Sequence, residues 1–160
     1  MAEGSGTQAH EKALKAALRL LRLRPRSVWE LSTRLRQTFR EETCRTVIQE
    51  LRRKKLLDDY AFSKFWIENR LQFKQMGKMR LIQELLAKRV DQGVIQEALD
   101  TLYPGEDRLI AERLLEARRR KMDPRDPKQA QRMYRFLRSR GFAHDLVTEL
   151  LEKDVQEDKP

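Results

Sequence analysis

An approximate internal period of about fifty residues constrains this chain more than any single motif does. Apolar pairs at i, i+4 recur as Leu31 and Leu35, Leu81 and Leu85, and Met133 and Leu137. Ile95 and Leu99 follow the second pair, and Val147 and Leu151 follow the third at the same spacing. The first unit keeps the order with a small insertion, giving Val47 and Leu51. Such self-similarity marks stacked supersecondary units, each too small to bury its own apolar stripe without neighbours. The expected fold is all-α: an elongated curved array of three tandem three-helix repeats. Its expected boundaries are a disordered N-terminus at 1–9, repeats at 10–57, 58–105 and 106–151, and a charged tail at 152–160.

Composition agrees with that reading. Charged residues are 38% of the chain and apolar ones 39%, a balance that suits thin helices with large wet surfaces better than one thick core. Leu, Arg, Lys, Glu, Gln and Ala dominate, so no sheet is expected. The net charge of +10 is uneven. Residues 12–55 carry 14 Lys and Arg against 4 acids, and residues 108–140 carry 12 against 4. Residues 141–160 reverse the balance, with 2 against 6. Two basic regions of this kind point to a polyanionic partner, either nucleic acid or an acidic protein groove. The lone Cys44 excludes an intramolecular disulfide, and no apolar run approaches the length of a membrane span. A cytoplasmic protein is expected.

The helix signals fall in order. Leu14, Leu18 and Leu21 predict a first helix from about His10 to Leu23, ended by Pro25. Ser27 and Glu30 form a capping-box pattern that opens a second, with Val28, Leu31 and Leu35 inward. A third is predicted over Glu41 to Lys55. Asp58 or Asp59 is the expected N-cap of a fourth carrying Phe62, Phe65, Trp66 and Ile67. Gly77 breaks the pattern and Lys78 to Lys88 restarts it. Asp91 caps a sixth helix, which Tyr103, Pro104 and Gly105 close. Glu106 to Met122 is expected to use Leu109, Ile110, Leu114 and Leu115. Asp123-Pro124 and Asp126-Pro127 end it, with Asp126 as the next cap and Pro127 at the first helical position. Gly141 fits a C-terminal cap, and a last helix begins near Ala143.

Catalytic constellations are missing. His10 and His144 stand apart, and two histidines with one cysteine cannot build a standard structural zinc site. Met76-Gly77-Lys78 lacks the spacing and the hydroxyl residue of a phosphate loop. The chain therefore reads as a non-enzyme without metal or cofactor. Phe62, Phe65, Trp66 and Tyr134 read as core, while Trp29 and Phe73 are candidates for stacking or partner contact. The candidate polyanion-binding residues are Arg22, Arg24, Arg26, Arg34 and Arg36 in the first unit. In the third they are Arg118, Arg119, Arg120, Arg132 and Arg135.

Longer strings then carry a resemblance. Arg24-Pro25-Arg26-Ser27 is followed by Glu30-Leu31 and Arg34-Leu35, and then by Leu56-Leu57-Asp58-Asp59-Tyr60-Ala61-Phe62. Trp66-Ile67-Glu68-Asn69-Arg70, Arg80-Leu81-Ile82-Gln83-Glu84-Leu85 and Arg135 through Phe142 complete the series. In order and spacing, from about Lys12 to Leu151, the chain resembles RecX, the small regulators of the bacterial RecA recombinase. Two departures are Gly77 alone in a stretch that is usually glycine-rich, and Arg89 where many members have glycine. The resemblance implies binding in the groove of the RecA filament on single-stranded DNA, with loss of ATPase, strand-exchange and coprotease activity. It implies no cofactor and no catalytic residue, and leaves room for a weak direct contact with DNA. A monomer is expected, since the repeats can cover one another. The alternative is an independent basic helical module that binds DNA or RNA on its own.

Overall fold

The computed structural model describes residues 3–121, 126 and 128–157, for 3–5 and 154–157 the backbone only. The described residues form nine helices and no strand. The first triplet is α1 (Glu3–Leu23), α2 (Val28–Arg36) and α3 (Glu41–Arg53). The second is α4 (Asp59–Lys74), α5 (Lys78–Ala87) and α6 (Gln92–Leu102), and the third α7 (Asp107–Arg119), α8 (Gln129–Ser139) and α9 (His144–Glu157).

The repeated apolar positions bury, except Leu151, which is half-buried beside the buried Leu150. Leu31, Leu81, Leu85, Leu137, Val47, Leu51, Leu99 and Val147 are fully inaccessible, and Leu35, Met133 and Ile95 nearly so. Other expectations are corrected. α1 starts at Glu3, ahead of His10, because adding a residue to a helix already held by packing costs far less than starting one. Its buried residues are Ala13 and Ala17, while Leu14 and Leu21 are half-buried and Leu18 is exposed. Alanine on that face removes the bulk that would otherwise hold α1 away from α3. Phe65 and Leu109, expected in the core, are exposed at 38% and 49%. α9 continues through Glu157, into the stretch expected to be a charged tail.

The caps follow the sequence closely. The Ser27 hydroxyl accepts from Glu30 N–H at 3.1 Å while the Glu30 carboxylate accepts from Ser27 N–H at 3.3 Å, the reciprocal capping box. Asp58 accepts from Tyr60 N–H and Asp91 from Gly93 N–H, at 2.9 and 2.8 Å. At α8, Asp126 accepts from Lys128 N–H at 2.9 Å. Asp123, Pro124 and Pro127 lie outside the described residues. Gly141 is left-handed at φ 91°, and Phe142 N–H reaches back to Leu137 C=O at 3.3 Å, the closure of a glycine C-cap. Arg89 takes the same conformation, φ 57°, with Val90 N–H on Leu85 C=O at 3.2 Å. An arginine there keeps the turn that glycine would make, at the steric cost of a Cβ.

The chain divides into two compact units, residues 1–66 with 85–98, and 67–84 with 99–160. The second triplet is thus shared between them. In the first unit, the Ser27 hydroxyl donates to Lys88 C=O at 2.9 Å, so the C-terminal end of α5 meets the N-terminal end of α2. Asp59, at the start of α4, accepts from Val28 N–H at 2.8 Å. The second unit repeats the joint. Gly77 N–H donates to Arg140 C=O at 2.9 Å and Met79 N–H to Gly141 C=O at 3.2 Å, which sets the C-terminal end of α8 on the N-terminal end of α5. Asp107, at the start of α7, accepts from Lys78 N–H at 2.9 Å. Each joint places a carbonyl end and a carboxylate at a helix N-terminus, where free N–H groups and the helix dipole favour both.

Candidate functional site

The candidate arginines sit in very different electrostatic states. Arg24 forks onto Glu30, Nη1 to Oε2 at 3.1 Å and Nη2 to Oε1 at 3.2 Å. Lys88 Nζ reaches the same carboxylate at 2.6 Å. Burial pushes the Glu30 carboxyl upward, but the hydrogen bonds from Arg24 and Lys88 outweigh it and bring its pKa down to about 2. Arg26 is half-buried with Nε 3.4 Å from Leu20 C=O; burial, and then the charge of Arg24, lower its pKa. Arg34 is exposed and bonds to Gln37. Arg36 holds Glu41 through Nε at 2.5 Å and Nη2 at 2.9 Å. Arg22 is exposed and has no partner among the described residues.

In the second unit, the Arg118 guanidinium lies 4.3 Å from the centre of the Phe136 ring, with that of Arg140 5.2 Å from the same ring. Arg119 is half-buried and engaged. Arg120 pairs with Glu116, and Arg132 with Asp126 at 2.8 Å. Arg135 is exposed, its Nε 3.4 Å from Gln131 C=O one turn back. The ten arginines therefore fall five to each compact unit, and most already hold an acceptor.

A set of cations that the candidate residues left out is freer. Lys12, Lys15 and Arg19 precede Arg22 on α1, are exposed, and have no hydrogen-bond or ion-pair partner among the described residues. Their spacing of 3, 4 and 3 residues puts all four on one face, opposite Ala13 and Ala17. That spacing was readable in the sequence once the alanine face was taken as the inner one.

Among the described residues, no group of three His, Cys, Asp or Glu side chains is placed to hold a metal ion. His10 Nε2 is 2.8 Å from Glu50, and His144 Nδ1 is 2.8 Å from the Tyr134 hydroxyl. Cys44 is buried, and desolvation raises its thiol pKa, which disfavours the reactive thiolate. Asp59 is half-buried, and burial raises its pKa against the hydrogen bond from Val28. The sequence-adjacent carboxylates Asp58 and Asp59 are spent on helix N-termini. No described helix is long and apolar enough to cross a membrane.

Comparison with known proteins gives this surface a context. RecX family models for the first, second and third three-helix domains match residues 13–51, 58–99 and 106–151. The chain belongs to the RecX family. Among its relatives, Regulatory protein RecX of Mycolicibacterium smegmatis is 30% identical over 155 residues, 93% of this chain and 82% of the relative. The Mycobacterium marinum protein of the same name is 33% identical over 88% of this chain and 83% of its own. The RecX fold is shared with two crystal structures. One, of regulatory protein RecX, superposes with a TM-score of 0.77 at 22% identity over 93% of this chain and 74% of the other. The second, of RecX from Lactobacillus salivarius, gives 0.72 at 20% identity over 92% and 97%.

Proposed function

We propose that this RecX chain regulates a RecA recombinase by binding in the groove of the RecA filament on single-stranded DNA. There it lowers ATP hydrolysis, strand exchange and coprotease activity. The observation that supports this most is the presence of all three family domains, in order, on a surface whose cations lie in both compact units. The protein acts in the cytoplasm, as a monomer, without a cofactor and by binding alone. A ligand of that kind suppresses a filament by favouring its inactive or shortened state.

The arginines differ in how readily they serve as contacts. Arg22 is available outright, and Arg34 and Arg135 exchange only a neutral acceptor. Arg36, Arg120 and Arg132 exchange surface ion pairs, each worth at most about 1 kcal/mol. Arg24 is bound to a carboxylate whose side chain is 8% exposed, so drawing it away uncovers a partly desolvated charge.

The test is ATP hydrolysis by preformed RecA filaments on single-stranded DNA, with the purified protein added and bare-DNA binding measured at the same salt. Loss of hydrolysis at substoichiometric protein, where bare-DNA binding is slight, is the expected result. Unchanged hydrolysis alongside tight DNA binding would replace this reading with an independent nucleic-acid module.

A further inference from the structure

The outer face of α1 carries four exposed cations in line, none with a hydrogen-bond or ion-pair partner among the described residues. Several cations elsewhere are neutralised at i, i+4: Glu50 with Lys54 at 2.5 Å, Arg80 with Glu84 at 3.3 Å and Arg108 with Glu112 at 3.9 Å. Glu116 with Arg120 and Glu149 with Lys153 follow the same rule. On α1, Lys12, Lys15, Arg19 and Arg22 stand at i, i+3 and i, i+4 from one another, so that like charges are neighbours and repel. Glu11 is in register with Lys15 and forms no pair among the described residues. A face arranged against its own helix in this way is suited to a partner that supplies the missing counter-charge.

The geometry of the line narrows that partner. At about 1.5 Å of rise per residue, the four cations lie about 5 Å apart over about 15 Å. A regular row of single charges complements a polymer that carries one negative charge per monomer. Lysine binds phosphate as a point charge and arginine as a fork, and this row contains both. It lacks the buried aromatic anchor that commonly dominates a protein–protein contact; its exposed apolar neighbours are Leu18 and Leu23. We propose that Lys12, Lys15, Arg19 and Arg22 form a phosphate-binding face for the backbone of a nucleic-acid strand. This assigns the direct DNA contact to α1 and separates it from the ion-paired arginines. The inference is independent of RecA, since it stands or falls on DNA alone.

The experiment is fluorescence anisotropy of labelled oligothymidylate, with the apparent association constant followed against salt for three proteins. They are the unaltered chain, the variant with Lys12→Gln, Lys15→Gln, Arg19→Gln and Arg22→Gln, and a control with Lys54→Gln, Arg80→Gln, Arg108→Gln and Lys153→Gln. The two variants lose equal charge, but the control loses only paired cations. Each single-strand phosphate contact contributes about 0.7 to the logarithmic salt slope, so the α1 variant is expected to lower it by about 3. The control is expected to change it by less than 1. Equal slope changes in both variants would mean that net charge alone binds DNA and would overturn the assignment. An unchanged slope in the α1 variant, with filament regulation lost, would overturn it in favour of a protein contact. If the unaltered chain leaves RecA hydrolysis untouched, the proposed regulation fails while the slope comparison still decides the DNA face.

Discussion

Gly77 and Gly141 meet at the joint of α5 and α8, and neither position has room for a methyl group. A Cβ on Gly77 would stand 2.6 Å from Gly141 C=O, and one on Gly141 would overlap Arg80 backbone and Cβ. Gly141 also needs its left-handed φ. Gly141→Ala is expected to destabilise by more than about 2 kcal/mol, read from the urea midpoint, because strain and overlap add. Arg89 supplies the opposite case, a side chain in a left-handed turn with no partner among the described residues. Arg89→Gly is expected to stabilise by about 1 kcal/mol and raise Tm by about 3 °C. A lower Tm would show that the Arg89 side chain contributes more than its backbone costs. Both turns were legible as positions in the sequence. The close approach of Gly77 to Gly141 was not, because it joins two helices distant along the chain.

The start of α2 concentrates more interactions than any other described helix end. Ser27 caps it and Asp59 accepts from Val28, while Glu30 gathers Ser27 N–H, Arg24 and Lys88. The Glu30 carboxyl titrates near 4.5 when unperturbed and near 2 in the fold, so its ionised contacts stabilise fully above about 4.5 and are lost as pH falls toward 2. Thermal melts in that window are expected to show falling Tm, and Glu30→Gln to flatten the dependence while lowering Tm at neutral pH. A variant with the same acid slope as the unaltered chain would remove Glu30 from the account. Sequence alone revealed the local part of this end, since a capping box lies within four residues. It missed Asp59, read as a cap for its own helix, because an aspartate before an apolar run looks the same whichever N–H it serves. The inner face of α1 was missed for a related reason: periodicity favours the larger leucines, whereas close packing selected Ala13 and Ala17.

Across the whole chain, the fold was legible because the repeat carries its own register. Six apolar residues in three i, i+4 pairs locate three second helices, and all six are buried. The candidate site was less legible. Counting lysines and arginines finds the basic regions, but their availability depends on which acceptors fold next to them: Arg22 has none among the described residues, whereas Arg24 holds Glu30. Stability also crosses triplet boundaries. A chain ending at Leu57 keeps every residue of the first family domain yet loses Asp59 and the Lys88 carbonyl from the start of α2. It is expected to melt below the full chain and over a broader range by circular dichroism; an equally sharp transition at the same temperature would show the triplet to be self-sufficient. Asp107 gives the second triplet the same dependence on the third. During synthesis the N-terminal segments emerge first. The second helix of a triplet must then wait, incompletely capped, until the ribosome has delivered part of the next one, and each newly made triplet completes the one before it.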